Sequence, residues 1–63
     1  MDVEMVVDAI DPGQCVIICR DGEMRGLFPG KFVPTMYYKE KVRVMRYDKD
    51  SDAFKLYIGD YYE

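Results

Sequence analysis

Two turn signals inside one apolar run constrain this chain most. Residues 6–34 read VVDAIDPGQCVIICRDGEMRGLFPGKFVP, with Asp11-Pro12-Gly13 and Asp21-Gly22 separating three apolar segments. Asp-Gly between strand-like runs is the strongest short hairpin signal, and a proline-glycine pair presets a turn. The spacing therefore predicts an antiparallel meander of short strands. Strands are expected over residues 3–10, 14–20, 23–28, 40–47 and 53–58. The run Cys15-Val16-Ile17-Ile18-Cys19 is β-branched and too short for a helix. Gly26 within the third strand signals a bulge or a close backbone approach. Pro29, Gly30 and Pro34 exclude a long helix between the third and fourth strands and leave room for one short turn.

Length decides how such strands can be arranged. The 63 residues make one domain, 1–63, and a chain this short buries only ~60% of its unfolded surface. With 49% of the residues hydrophobic, one small core is affordable in composition and disorder is not expected. Five short strands then suggest an all-β fold, a five-stranded antiparallel small barrel, which removes exposed sheet edges. The expected core is Val7, Ile10, Val16, Ile18, Leu27, Val42, Val44, Phe54 and Leu56. On the last two strands Val42 and Val44 are expected on one side and Arg43, Met45 and Tyr47 on the other. Phe54, Leu56 and Ile58 point inward, and Lys55 and Tyr57 outward. Asp60-Tyr61-Tyr62-Glu63 reads as a short tail.

No apolar run approaches the ~20 residues of a membrane span, and the acidic start Met1-Asp2-Val3-Glu4 lacks the basic-then-apolar pattern of a signal peptide. A cytoplasmic protein without membrane contact is the expectation. Cys15 and Cys19 lie roughly 13 Å apart on one face of a strand, beyond the ~7 Å reach of a disulfide. With no histidine in the chain, no metal site is expected from them. Asp48-Lys49-Asp50-Ser51-Asp52 starts like a calcium loop, but Ala53 and Gly59 stand where a glycine and a glutamate are needed. No cofactor is implied. Catalysis finds no support either: Ser51 and Thr35 are the only hydroxyl nucleophiles of their types, and neither has a base beside it.

The net charge of −3 works against phosphate backbones at long range. The bases nevertheless gather in the second half, as Lys39, Lys41, Arg43, Arg46, Lys49 and Lys55. Tyr47 and Tyr57 are expected to face outward beside Arg43 and Lys55. Such a set suits base stacking with cations, and it equally suits a tyrosine-arginine protein hot spot.

The order of these elements resembles the S-one domain, an oligonucleotide-binding (OB) fold module of ribosomal proteins, ribonucleases and initiation factors. The resemblance covers nearly the whole chain. It rests on Val6-Val7-Asp8-Ala9-Ile10, Gly13, Val16 and Ile18, Gly26-Leu27-Phe28, residues 42–48 and Phe54-Lys55-Leu56. The same pattern partly fits SH3-like barrels, the second choice of fold. The resemblance implies RNA binding on one barrel face, but several contact positions differ from the family. Pro12 and Cys15 replace aromatics, Pro29 replaces a frequent histidine, and Asp52 stands where a basic residue is usual, while Asp48 is kept. Each lost stacking platform is worth ~1–3 kcal/mol.

The expectation is thus a non-catalytic binding module for RNA or single-stranded nucleic acid. Its contacts would be Arg43, Arg46, Tyr47, Asp48, Lys55 and Tyr57. The alternative is a protein-interaction module, an accessory or inhibitory subunit that kept the fold and lost RNA stacking.

Overall fold

Residues 3–9 form a helix where a first strand was expected, and this one change reorganises the architecture. The structure, a computed structural model, describes residues 1–59. The tail expected at residues 60–63, with Tyr61 and Tyr62, lies outside the described residues. The helix α1 spans Val3–Ala9. Asp2 caps it, its carboxylate accepting from the Met5 amide at 3.0 Å. Val3, Val6, Val7 and Ile10 recur at the i, i+3, i+4, i+7 spacing of one helical face and reach the core. Read with period two, the same residues leave apolar side chains on both faces of a strand.

Four strands follow: β1 (Cys15–Arg20), β2 (Glu23–Pro29), β3 (Val42–Asp48) and β4 (Ala53–Ile58). They form one mixed sheet in the order β2-β1-β4-β3. The expected five-stranded antiparallel barrel is therefore corrected. Four strands are present, β1 and β4 run parallel, and the sheet is not closed. The β-rich core expectation stands in this coarser form, as two hairpins joined side by side.

The β1–β2 hairpin turns on Asp21 and Gly22, both with positive φ (53° and 83°), as a type I′ turn requires. Asp11-Pro12-Gly13 does form a turn, but it links α1 to β1. The Gln14 amide donates to the Asp11 carbonyl at 2.8 Å, and the Gly13 amide donates to the Asp11 carboxylate at 2.9 Å. Between the hairpins, short 3-10 turns at Gly30–Phe32 and Thr35–Tyr37 follow Pro29 and Pro34. This segment also holds the helix in place. The Val3 amide donates to the Glu40 carbonyl at 3.0 Å, Glu4 to Tyr38 at 3.1 Å, and Val42 to Met1 at 2.9 Å. Arg20 at the end of β1 pairs with Glu40, a hydrogen bond that raises the arginine pKa.

The main core lies between α1 and one sheet face, where Val3, Val6, Val16, Ile18, Leu56 and Ile58 are buried, with Val33 at the margin. Two bulges set what each edge strand contributes. Ile18 pairs Gly26 but Cys19 pairs Met24, which leaves Arg25 as the extra residue of β2. Val42 pairs Ile58 but Val44 pairs Tyr57, which leaves Arg43 as the extra residue of β3. The second bulge reverses the expected facing. Val42 points to the core, Val44 to the opposite face, and Met45 and Tyr47 share the α1 side with Leu56 and Phe54. Leu27 is likewise corrected: it lies on the face away from α1 and is 44% exposed. At Gly26 the Phe28 ring folds back so closely that a Cβ would lie 2.5 Å from its tip.

Among the described residues no helix is long and apolar enough to cross a membrane.

Candidate functional site

Among the described residues, no other element covers the sheet face opposite α1. Its side chains follow from the register as rows across the four strands. One row is Leu27, Ile17, Lys55, Arg46; the next is Met24, Cys19, Tyr57, Val44. A third row is Pro29, Cys15, Ala53, Asp48. Ile17, Cys19 and Ala53 form a buried floor, shielded by their own neighbours in the sheet. Met24 and Leu27 lie exposed on one side of that floor. Arg46, Lys55 and Tyr57 stand on the other.

The expected site residues therefore divide. Arg46, Lys55 and Tyr57 come together on adjacent strands, and Asp48 ends the same face. The Arg46 guanidinium carbon lies 5.9 Å from the centre of the Tyr57 ring, within the range of a cation–π contact. Among the described residues no carboxylate forms an ion pair with Arg46 or Lys55. Burial pushes the Cys19 thiol above its ordinary value, with the Lys55 charge acting in the opposite direction.

Tyr47 and Arg43 do not join this group. Tyr47 faces the α1 side, its ring edge-on to Phe54 with centroids 5.4 Å apart and planes at 64°. Its hydroxyl donates to the Asp52 carboxylate, and that hydrogen bond raises its pKa. Arg43 occupies the bulge, where its Nε donates to the Gly59 carbonyl at 3.0 Å. Both belong to the framework that fixes β3 against β4.

Ile17, Cys19, Leu27 and Val44 belong to this face and were not expected there. The continuous apolar run of β1 held the signal: β1 is a central strand, and Ile17 and Cys19 are buried there among the side chains of both neighbouring strands. Cys15 and Cys19 are free thiols on the same side of β1.

On the α1 side lies a separate apolar groove of about 260 Å³. It is lined by Met1, Met5, Val6, Ala9, Ile10 and Met45. Among the described residues no group of acidic or cysteine side chains is arranged to hold a metal ion.

Among the described residues, fold and site together define a small single-sheet domain with one helix-covered face and one open face that mixes cations, an aromatic ring and apolar side chains. No protein-family model matches the chain, and neither curated proteins nor solved structures give a significant match.

Proposed function

We propose that this protein binds single-stranded nucleic acid, RNA above all, on its open sheet face without catalysis. One observation carries the reading: Arg46 and Lys55 flank Tyr57 on a face that no other described element covers, and among the described residues no carboxylate pairs with either. A sheet of four strands presenting an aromatic ring beside cations is physically suited to splayed bases, which stack on rings and guanidinium planes while cations meet the phosphates. The exposed Leu27 and Met24 on the far side of the buried floor extend the apolar surface for a second base. The proposal does not depend on a closed barrel. The resemblance to the S-one domain supports the same class of ligand, through the kept Asp48 and the strand sequences around it.

The affinity expected is low. One strong stacking contact supplies ~1–3 kcal/mol, and two cations supply a modest electrostatic part. Binding should fall in the high-micromolar to millimolar range, ~10⁻⁴–10⁻³ M. Neutralising about two phosphates of a single strand predicts a salt slope near −1.4, about 25-fold weaker binding per tenfold rise in salt.

The test is an amide NMR titration with a mixed-sequence single-stranded RNA heptamer at two salt concentrations. Shifts should cluster at Ile17, Cys19, Arg46, Lys55 and Tyr57 and fade with salt at that slope. Tyr57→Ala and Lys55→Ala should each reduce binding several-fold, while Tyr47→Phe should leave it unchanged. No shift at millimolar RNA, or shifts confined to the α1 side, would overturn the proposal and turn the search to protein partners for the open face.

A further inference from the structure

The two cations of the open face stand directly across from each other. Arg46 on β3 is the register partner of Lys55 on β4. Residues so opposed have neighbouring Cβ atoms, and like charges in that position repel. Among the described residues no carboxylate pairs with either cation. The rows of this face hold one acid among the described residues, Asp48. Its carboxylate accepts from the Asp50 amide at 3.2 Å, at the start of the β3–β4 turn. Two opposed positive charges without a protein counter-charge are complementary to one compact anion of double charge.

The two side chains differ in how they meet phosphate. A guanidinium fork takes two phosphate oxygens at once, and an ammonium takes one as a point charge. A phosphodiester inside a strand offers two unbridged oxygens and a single charge. A phosphate monoester at a strand end offers three oxygens and a charge of about −1.5 to −2 at neutral pH. Only the monoester fills the Arg46 fork and leaves a further oxygen for Lys55.

The supply of aromatic rings points the same way. Among the described residues Tyr57 is the one ring in the rows of this face. It follows Lys55 by two positions on the same side of β4, and the Arg46 guanidinium carbon lies 5.9 Å from its centre. One ring beside one cation pair matches one nucleotide, not a run of them. We infer, resting on the nucleic-acid reading above, that the open face takes the phosphorylated end of a single strand. The terminal base stacks at Tyr57, and the terminal phosphate monoester sits between Arg46 and Lys55. The 5′ and the 3′ end can each carry that group, so the chemistry is shared and the end is read by experiment.

RNA heptamers of one sequence make the test: one with a 5′-phosphate, one with a 3′-phosphate, and one with hydroxyls at both ends. Each is titrated into the full chain, followed by the amide shifts of the protein and by the phosphorus-31 signal of the monoester. The hydroxyl-ended strand should bind the open face with the weak affinity given above. At least one phosphorylated strand should bind about five- to tenfold tighter, the gain from one exposed charge pair and its hydrogen bonds, with its monoester signal moving in step. The strand that gains identifies the end. Lys55→Gln and Arg46→Gln should each abolish the preference, whatever they do to the hydroxyl-ended strand. Lys55→Gln removes a repelling neighbour and should melt no lower than the unaltered protein, so its lost preference is not a lost fold. Equal binding of all the strands at the open face would overturn the inference and leave the nucleic-acid reading standing. A preference that survives either substitution would also overturn it. Binding of none of the strands would overturn both.

Discussion

Two leucines in one sheet give the sharpest test of where the core lies. Leu56 is fully buried, at 0% exposure, between β4 and α1, while Leu27 is 44% exposed on the open face. By hydrophobic pattern both belong to the core; by the structure only Leu56 does. Leu56→Ala removes about three buried carbons, a transfer loss of roughly 2–2.5 kcal/mol, and the cavity left behind raises it to about 3–5 kcal/mol. At ~0.05–0.15 kcal/mol per residue the whole domain has only about 3–9 kcal/mol to lose. Leu56→Ala should therefore be marginally folded or unfolded. Leu27→Ala removes carbons that are only partly shielded and leaves no closed cavity, for about 1 kcal/mol or less. In urea melts followed by far-UV circular dichroism, the two variants should differ by at least ~2 kcal/mol at unchanged m-value. Where both melt thermally, the gap should reach about 10 °C or more. If Leu27→Ala proves as damaging as Leu56→Ala, something covers the open face. The binding surface proposed there would then be a buried interface.

Other predictions follow from single contacts. Asp2→Ala removes the helix cap and should lower stability by about 0.5–2 kcal/mol, seen as a reduced melting temperature. On RNA, Tyr57→Ala should weaken binding by about 5-fold to 150-fold, the loss of one stacking contact, whereas Tyr47→Ala should act on stability alone. Stability should also fall at alkaline pH. Burial raises the Cys19 thiol above its ordinary 9.0, and the bond to Asp52 raises the Tyr47 hydroxyl above its ordinary 10.0. A raised folded-state value favours the protonated group. Each contribution is whole below the ordinary value and is lost as pH rises through the folded-state value. Cys19→Ala should flatten the first part of that decline in melting temperature, and an equal decline in the variant would assign it elsewhere.

Both edge strands carry the same device against edge-to-edge pairing. β2 and β3 each carry a bulge with an arginine as the extra residue, Arg25 and Arg43. A bulge twists the edge, and a charge on it opposes pairing with another sheet.

The local sequence determined the hairpins. Asp21-Gly22 specified a turn with positive φ at both positions, and alternation placed β4 at Ala53–Ile58 with Phe54, Leu56 and Ile58 on one face. Three further features were decided only in the folded molecule. Residues 3–9 carry apolar side chains compatible with either period, and seven residues are too few to hold a helix alone in water. Their helix persists because Val3 and Glu4 donate to the backbone of residues 38–40 and because the sheet offers a surface to cover. The parallel pairing of β1 with β4 joins residues nearly forty positions apart, Cys15 with Ala53, and leaves no local mark beyond the doubly apolar β1. The bulge at Arg43 shifts β3 by one residue, which carries Tyr47 to the core side and leaves Arg46 beside Lys55 and Tyr57. Side chains in a strand alternate with period two, so one unpaired residue exchanges the faces of everything on one side of it. Turns are written in a few adjacent residues. Which face a side chain reaches depends on partners distant in the chain, and here those partners assembled the site.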